Sequence, residues 1–112
     1  MKYIIPQDKV DKIVFQYLDM NLKGLEKKKP RYSRGYILVY PDEEFGILGW
    51  ETNGTLNIYE GLVDEISTNF GINRNDSKLI ISRWFTDRYK LEVKKLNRWR
   101  WWYVSPLAID IN

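Results

Sequence analysis

The segment at residues 98–103 has the composition best suited to contact with another molecule. It reads Arg98, Trp99, Arg100, Trp101, Trp102 and Tyr103. Aromatic rings placed between arginines can stack on nucleic-acid bases while the guanidinium groups neutralise phosphates. Trp, Tyr and Arg are also the enriched anchors of protein–protein interfaces. The segment therefore predicts a binding surface, either for a protein subunit or for nucleic acid.

Trp102 is the residue of this segment that a buried strand face explains least well. Successive side chains of a strand point to opposite faces, so Trp99, Trp101 and Tyr103 share one face that could belong to the core. Trp102 falls on the other face, together with the arginines. We therefore expect Trp102 to be exposed or covered by a partner.

A second basic stretch precedes the first predicted strand. Its cationic residues are Lys27, Lys28, Lys29, Arg31 and Arg34. Such a stretch could grip phosphates. A solvated linker has the same composition, so both interpretations stay open at this point.

The residue types needed for most enzyme and metal sites are missing from the chain. It contains no Cys and no His, which removes the usual zinc ligands and the Cys–His and Ser–His–Asp catalytic groups. The acidic run Asp42, Glu43 and Glu44 is more simply a hairpin tip than a cation site. No glycine-rich phosphate loop occurs. We expect no catalysis, cofactor, metal or small-molecule substrate.

Charge is divided into blocks along the chain. Residues 1–41 hold nine basic and four acidic residues, a net charge of +5. Residues 42–76 hold one basic and eight acidic residues, a net charge of −7. Residues 77–112 hold eight basic and three acidic residues, again +5. Such blocks favour docking to a complementary surface, unless folding interleaves them.

Apolar periodicity predicts the elements that must position these residues. Spacings of three and four make a helical stripe of Val10, Ile13, Val14, Tyr17, Leu18, Leu22 and Leu25. Residues 36–40 and 45–50 form a predicted hairpin, and Asn53-Gly54 is a turn dipeptide. Asn57 and Glu60 match a capping box that opens a helix ending at Gly71. Asn75 or Asp76 caps a further helix through residue 89.

The C-terminal part completes an α+β order of helix, β-hairpin, helix, helix and β-hairpin. Residues 91–94 and 98–103 are predicted to be strands joined by a turn at residues 95–97, and residues 105–112 are predicted to be a tail. The expected fold is one small domain over residues 1–112, with a short antiparallel sheet packed by helices.

This order is winged-helix-like at best. The second helix would support a recognition helix, residues 76–89, that carries Lys78, Arg83 and Arg88. Hairpin 90–104 would be the wing, with Lys94, Lys95, Arg98 and Arg100 on phosphates. Ser77 stands where that motif usually has an apolar residue, and the expected turn from Gly71 to Asp76 is long. The alternative is a helical hairpin that packs on a sheet.

Two functions follow from these features. The first is a non-catalytic structural or adaptor subunit that docks onto other protein subunits, or onto copies of itself, through divided charge and residues 98–102. The alternative is nucleic-acid binding through the basic residues of helix 76–89 and hairpin 90–104. The N-terminus lacks a signal-peptide core and no apolar run could span a membrane, so we expect no membrane partner and a cytoplasmic location. Abundant Ile, Lys, Asn and Tyr with a single Ala favour an AT-rich genome; if it is viral, the virion is the expected location.

Overall fold

The first helix follows from the apolar stripe of the N-terminal segment. In the computed structural model, which describes residues 7–29, 35–39, 46–99 and 109–110, helix α1 spans Gln7–Asn21. Val14 and Leu18 are fully buried, and Leu22 is buried in the turn that follows the helix. The predicted helix is confirmed, and it ends one turn earlier than the apolar spacing indicates.

A mixed sheet forms the second layer. Its strands are β1 (Glu26–Lys29), β2 (Gly35–Val39), β3 (Gly46–Glu51), β4 (Thr55–Tyr59), β5 (Lys95–Trp99) and β6 (Ile109–Asp110). Their order across the sheet is β5-β4-β3-β2-β1-β6. Strands β1 to β4 form an antiparallel meander, and β6 adds antiparallel to β1. Strand β5 is the exception, because it pairs in parallel with β4.

Two helices connect β4 to β5. Helix α2 spans Glu60–Phe70 and helix α3 spans Arg74–Tyr89. Gly71 ends α2 in the left-handed conformation, with φ of 63°, which glycine adopts without a steric penalty. A parallel pair needs a crossover of this kind, because the chain must return to the end of the sheet from which it left.

The hydrophobic core lies between the three helices and one face of the sheet. The register places Leu38, Leu48 and Ile58 side by side on neighbouring strands. They pack in one cluster with buried residues of all three helices, including Ile66 and Phe85. The α+β class predicted from the sequence is confirmed, and so is the predicted hairpin, which is β2 and β3.

The capping box predicted at Asn57 is wrong. Residues 55–59 are β4, and α2 begins at Glu60 without a side-chain cap at Tyr59. Leu56 and Ile58 alternate into the core with the two-residue period of a strand. The Asn57 amide, buried on the opposite face, donates to the Glu51 carboxylate at 3.1 Å and to the Gly49 carbonyl at 3.4 Å. The side chain is therefore satisfied within the sheet.

Two further predictions need correction. Residues 27–29, expected in a loop, belong to β1, because pairing with β2 outweighs the low strand propensity of lysine. The predicted wing is also wrong over its described part, since residues 91–94 form no strand and the expected turn at residues 95–97 lies within β5. Strand β5 pairs in parallel with β4, whereas a hairpin strand pairs antiparallel with its neighbour in sequence.

Gly35 is expected to tolerate no side chain. Its φ is +123°, and a Cβ atom there would lie 1.8 Å from the Trp50 carbonyl oxygen on β3. We expect Gly35→Ala to destabilise the protein by about 3 kcal/mol or more, through backbone strain and displacement of β3. Gly24→Ala is the matched control, because nothing lies within 4 Å of its added methyl group. Equal midpoints of urea unfolding for the two variants would contradict this account.

Candidate functional site

The segment at residues 98–103, called the Trp/Arg segment below, begins on β5. The main chains of Arg98 and Trp99 lie at the end of this strand, in register with Ile58 and Tyr59 of β4. Arg100, Trp101 and Trp102 lie outside the described residues, so the exposure expected for Trp102 stays a prediction. Strand β5, on which the segment begins, stands at one end of the strand order of the sheet.

Three hydrogen bonds and one apolar contact hold the start of β5 in place. The main-chain amides of Lys94 and Lys95 donate to the Gly54 carbonyl oxygen at 2.7 and 3.3 Å. The Trp50 indole donates to the Glu92 carbonyl oxygen at 2.9 Å. Leu96 is half-buried against the core. The Asn53-Gly54 turn is evident in the sequence, but its contact with residues 94 and 95 is a long-range feature that no local pattern indicates.

Lys94 and Lys95 are exposed at this edge of the sheet. Within the part of the chain that the structure describes, neither ammonium group has a carboxylate partner. Thr55 and Asn57, on the neighbouring strand, are buried and uncharged. The start of the Trp/Arg segment is therefore flanked by positive charge that the described residues do not neutralise.

The arginines of the predicted recognition helix are bound to α1. Arg83 makes a two-pronged contact with the Asp11 carboxylate, at 3.2 Å from Nε and 3.0 Å from Nη2. Arg88 grips Asp19 in the same way, at 2.8 and 2.7 Å, and also contacts Asp87. Its guanidinium lies over the Phe15 ring, 5.6 Å from the centroid. Acidic residues of α1 thus bind two of the three cations that the winged-helix hypothesis placed on its recognition helix.

Asp19 accepts hydrogen bonds from two residues of α3. Besides Arg88, the Trp84 indole donates to it at 2.8 Å, which satisfies the polar atom of a tryptophan that is only 3% exposed. The hydrogen bonds from Arg88, with a smaller contribution from Trp84, hold the pKa of the Asp19 carboxyl below its ordinary value. Asp19 also raises the pKa of the Arg88 guanidinium. The contact therefore joins two charged groups at neutral pH.

Lys78 is the remaining cation of the predicted recognition helix. It is half-buried and has no carboxylate partner among the described residues. Helix α3 begins at Arg74, where Asn73 caps it by accepting from the Asp76 amide at 2.7 Å, so the turn after α2 is shorter than predicted. The Ser77 hydroxyl is buried and donates to the Asn73 carbonyl oxygen at 2.8 Å. Serine is thus accommodated where the winged-helix motif usually has an apolar side chain.

The basic stretch before β2 does not form the phosphate-binding loop considered above in its described part. The Lys27 ammonium lies 5.2 and 5.4 Å from the ring centroids of Tyr36 and Tyr89, within the range of cation–π attraction. Lys28 pairs in register with Asp110 of β6 and Lys29 with Ile109. Arg31 and Arg34 lie outside the described residues. The described lysines thus belong to β1, which lies inside the sheet between β2 and β6.

A cavity of about 290 Å³ opens near the C-terminal end of α1. It is lined by Asn21, Leu22, Ile47, Tyr59, Gly61, Leu62 and Glu65. None of these residues was predicted to bind a partner, and none of them belongs to β5. The lining residue Tyr59 lies on β4, in register with Trp99 of β5.

The described ranges contain neither a cluster of acidic metal ligands nor a helix that could span a membrane. Across residues 7–29, 35–39, 46–99 and 109–110, no three acidic side chains converge as metal ligands. The Glu60 and Asp64 carboxylates instead bind Arg74. Asp42, Glu43 and Glu44 lie outside these ranges. No helix in the same ranges has the length and hydrophobicity needed to cross a membrane.

Comparison with known protein families, curated proteins and solved structures gives no match for this chain. Inferences about its function therefore rest on its own residues and geometry.

The Asp19 contacts should make stability depend on acid pH. Because the folded-state pKa of Asp19 lies below its unfolded value of about 3.9, the carboxylate stabilises the fold above that pH. This contribution is lost as the pH falls through the folded-state pKa. We expect Asp19→Asn to lower the free energy of unfolding at pH 7, and the gap from wild type to narrow below about pH 4.

Glu65→Gln is the matched control for Asp19→Asn. Glu65 is exposed and makes no ion pair with any described residue. Its replacement should leave stability within about 0.5 kcal/mol of wild type. Urea unfolding at pH 7, 5 and 3 gives the free energy of unfolding of the wild type, Asp19→Asn and Glu65→Gln. If the difference in free energy of unfolding between the wild type and Asp19→Asn stays constant with pH, the Asp19 charge does not stabilise the fold.

Proposed function

We propose that this chain is a non-catalytic structural or adaptor subunit that docks onto other protein subunits through β5 and the segment Arg98–Trp102. The observation that supports the proposal is the place of β5, which is the terminal strand of the sheet order. A central strand has neighbours on both sides, whereas a terminal strand presents one row of main-chain groups outward. Among the described residues no strand lies beyond β5, so the Trp/Arg segment continues from an edge of the described sheet.

The charge arrangement supports a protein partner over DNA read by α3. Arg83 and Arg88 already bind carboxylates of α1, so contact with DNA would first have to break these ion pairs. Residues 95–99 of the predicted wing form a strand of the main sheet that pairs in parallel with β4, whereas residues 91–94 form no strand. Neither the recognition helix nor the described part of the wing therefore has the arrangement that winged-helix binding to DNA requires.

Nucleic-acid binding remains the second candidate on one specific observation. Lys78, Lys94 and Lys95 have no carboxylate partner within the described ranges, and cations without internal partners can exchange counterions for phosphates. Under this alternative, the three lysines and the Trp/Arg segment would contact the nucleic-acid backbone and bases.

Salt dependence separates the two candidates. We expect labelled duplex and single-stranded DNA and RNA to give no saturable change in fluorescence anisotropy at low salt. Micromolar binding that collapses between about 50 and 200 mM salt, where several phosphate contacts lose about 10³-fold or more in affinity, would overturn the adaptor proposal. Light scattering on the same samples measures whether copies of the chain associate.

Replacement of Trp102 tests the docking surface. Trp102→Ala is expected to weaken capture of protein subunits from source-cell extract, or self-association, by about 2 kcal/mol, the loss typical of an interface anchor. Thermal unfolding should remain cooperative. Trp84→Ala is the control, because that tryptophan is 3% exposed in the core and its loss should destabilise the fold by about 3–5 kcal/mol. Unfolding of the Trp102 variant would place that side chain in the core instead.

A further inference from the structure

The outward main-chain groups of β5 can be assigned from its contact with β4. The Lys95 amide donates to the Gly54 carbonyl oxygen, on the β4 side. Lys94, whose amide donates to the same oxygen, precedes the strand. Within β5, which begins at Lys95, main-chain groups of successive residues point to opposite sides. The Asn97 amide therefore also faces β4, while the amides of Leu96 and Arg98 face away from it, at the outer edge of β5.

The side chains around this edge select the charge of an added strand. Lys94 and Lys95 are exposed without carboxylate partners among the described residues, and Arg98 follows within the same strand. Two copies of β5 placed side by side would bring two positively charged edges together, which is unfavourable. Lysines on an edge strand oppose indiscriminate pairing for the same reason. An acidic strand meets no such repulsion.

We propose that β5 accepts an extended, acidic segment of a protein partner as an added strand of the sheet. The inference rests on the proposed function and specifies its partner. Main-chain hydrogen bonds to the outward groups of Leu96 and Arg98 would supply affinity, and the lysines would supply selection by charge.

A peptide of alternating threonine and glutamate, labelled with fluorescein and blocked at both ends, is the probe. We expect saturable binding to the full chain by anisotropy, and no binding of the matching threonine–lysine peptide. The double variant Lys94→Glu/Lys95→Glu should lower affinity for the acidic peptide by about tenfold or more, since like charges would then face each other. Absence of binding to the wild-type chain would overturn the inference.

Two substitutions at residue 98 separate main-chain pairing from charge. Arg98→Thr removes the charge and keeps the outward amide, whereas Arg98→Pro removes both, as edge strands can tolerate. We expect the proline variant to bind the acidic peptide about fivefold more weakly than the threonine variant, the effect of about one hydrogen bond. Asn97→Pro is the structural control, because its amide faces β4, and it should lower the thermal midpoint more than Arg98→Pro does.

Hydrogen exchange gives an independent measurement on the unaltered chain. The Leu96 amide should exchange more slowly when the acidic peptide is bound, because the added strand would accept its hydrogen. Unchanged exchange at Leu96, or equal binding by the two residue-98 variants, would show that the peptide does not pair with β5. A competition experiment with a single-stranded oligonucleotide provides a further test. If the oligonucleotide displaces the peptide, and its binding is weakened equally by the Lys94→Glu/Lys95→Glu variant, the surface binds polyanions in general and the inference fails.

The outcome also distinguishes this inference from the proposed function. If the acidic peptide fails to bind while capture of protein subunits still depends on Trp102, docking uses the Trp/Arg segment without strand addition. If neither occurs, both proposals fail.

Discussion

The parallel pairing of β5 with β4 is the constraint on which the rest of the fold depends. A parallel pair requires a crossover, and the chain supplies it as the helical hairpin of α2 and α3. The crossover brings Ile66, Ile80 and Phe85 onto the sheet and places the chain after α3 beside β4. The same pairing makes β5 the terminal strand of the sheet order. The position of the helix layer and that of the Trp/Arg segment are thus two results of one pairing.

Charge is less divided in the folded chain than in the sequence. The C-terminal block, with its excess of cations, contributes Arg83 and Arg88 to ion pairs with Asp11 and Asp19 of the N-terminal block. Both blocks are net positive, yet their contact matches acids of one with bases of the other. The positive charge that stays unpaired among the described residues includes Lys94 and Lys95. Positive charge without an acidic partner among the described residues therefore lies at the β5 edge of the sheet, as well as at Lys78 of α3.

Elements with a strong apolar period were predictable from sequence, and elements made by long-range pairing were not. The stripe of α1, the hairpin of β2 and β3, and both crossover helices follow from local patterns. Asn57 and Glu60 also fit a local helix signal, but burial of Leu56 and Ile58 in the sheet decided that segment. Strand β1 is mostly lysine and depends on its partner β2. The residue types of the candidate site could be identified from the sequence. The ion pairs of Arg83 and Arg88 could not, because their partners lie 72 and 69 positions away in the chain.

The distance in sequence between β4 and β5 also bears on the order of folding. The register joins Thr55 to Lys95 and Tyr59 to Trp99, so every pair closes a loop of 40 residues, whereas β3 and β4 close a tight turn. Closing the longer loop loses more chain entropy before any contact compensates for it. Strand β5 should therefore join the sheet late, after the meander and the helical hairpin have formed. During synthesis the Trp/Arg segment would therefore emerge after the meander and both crossover helices, which precede it in the chain.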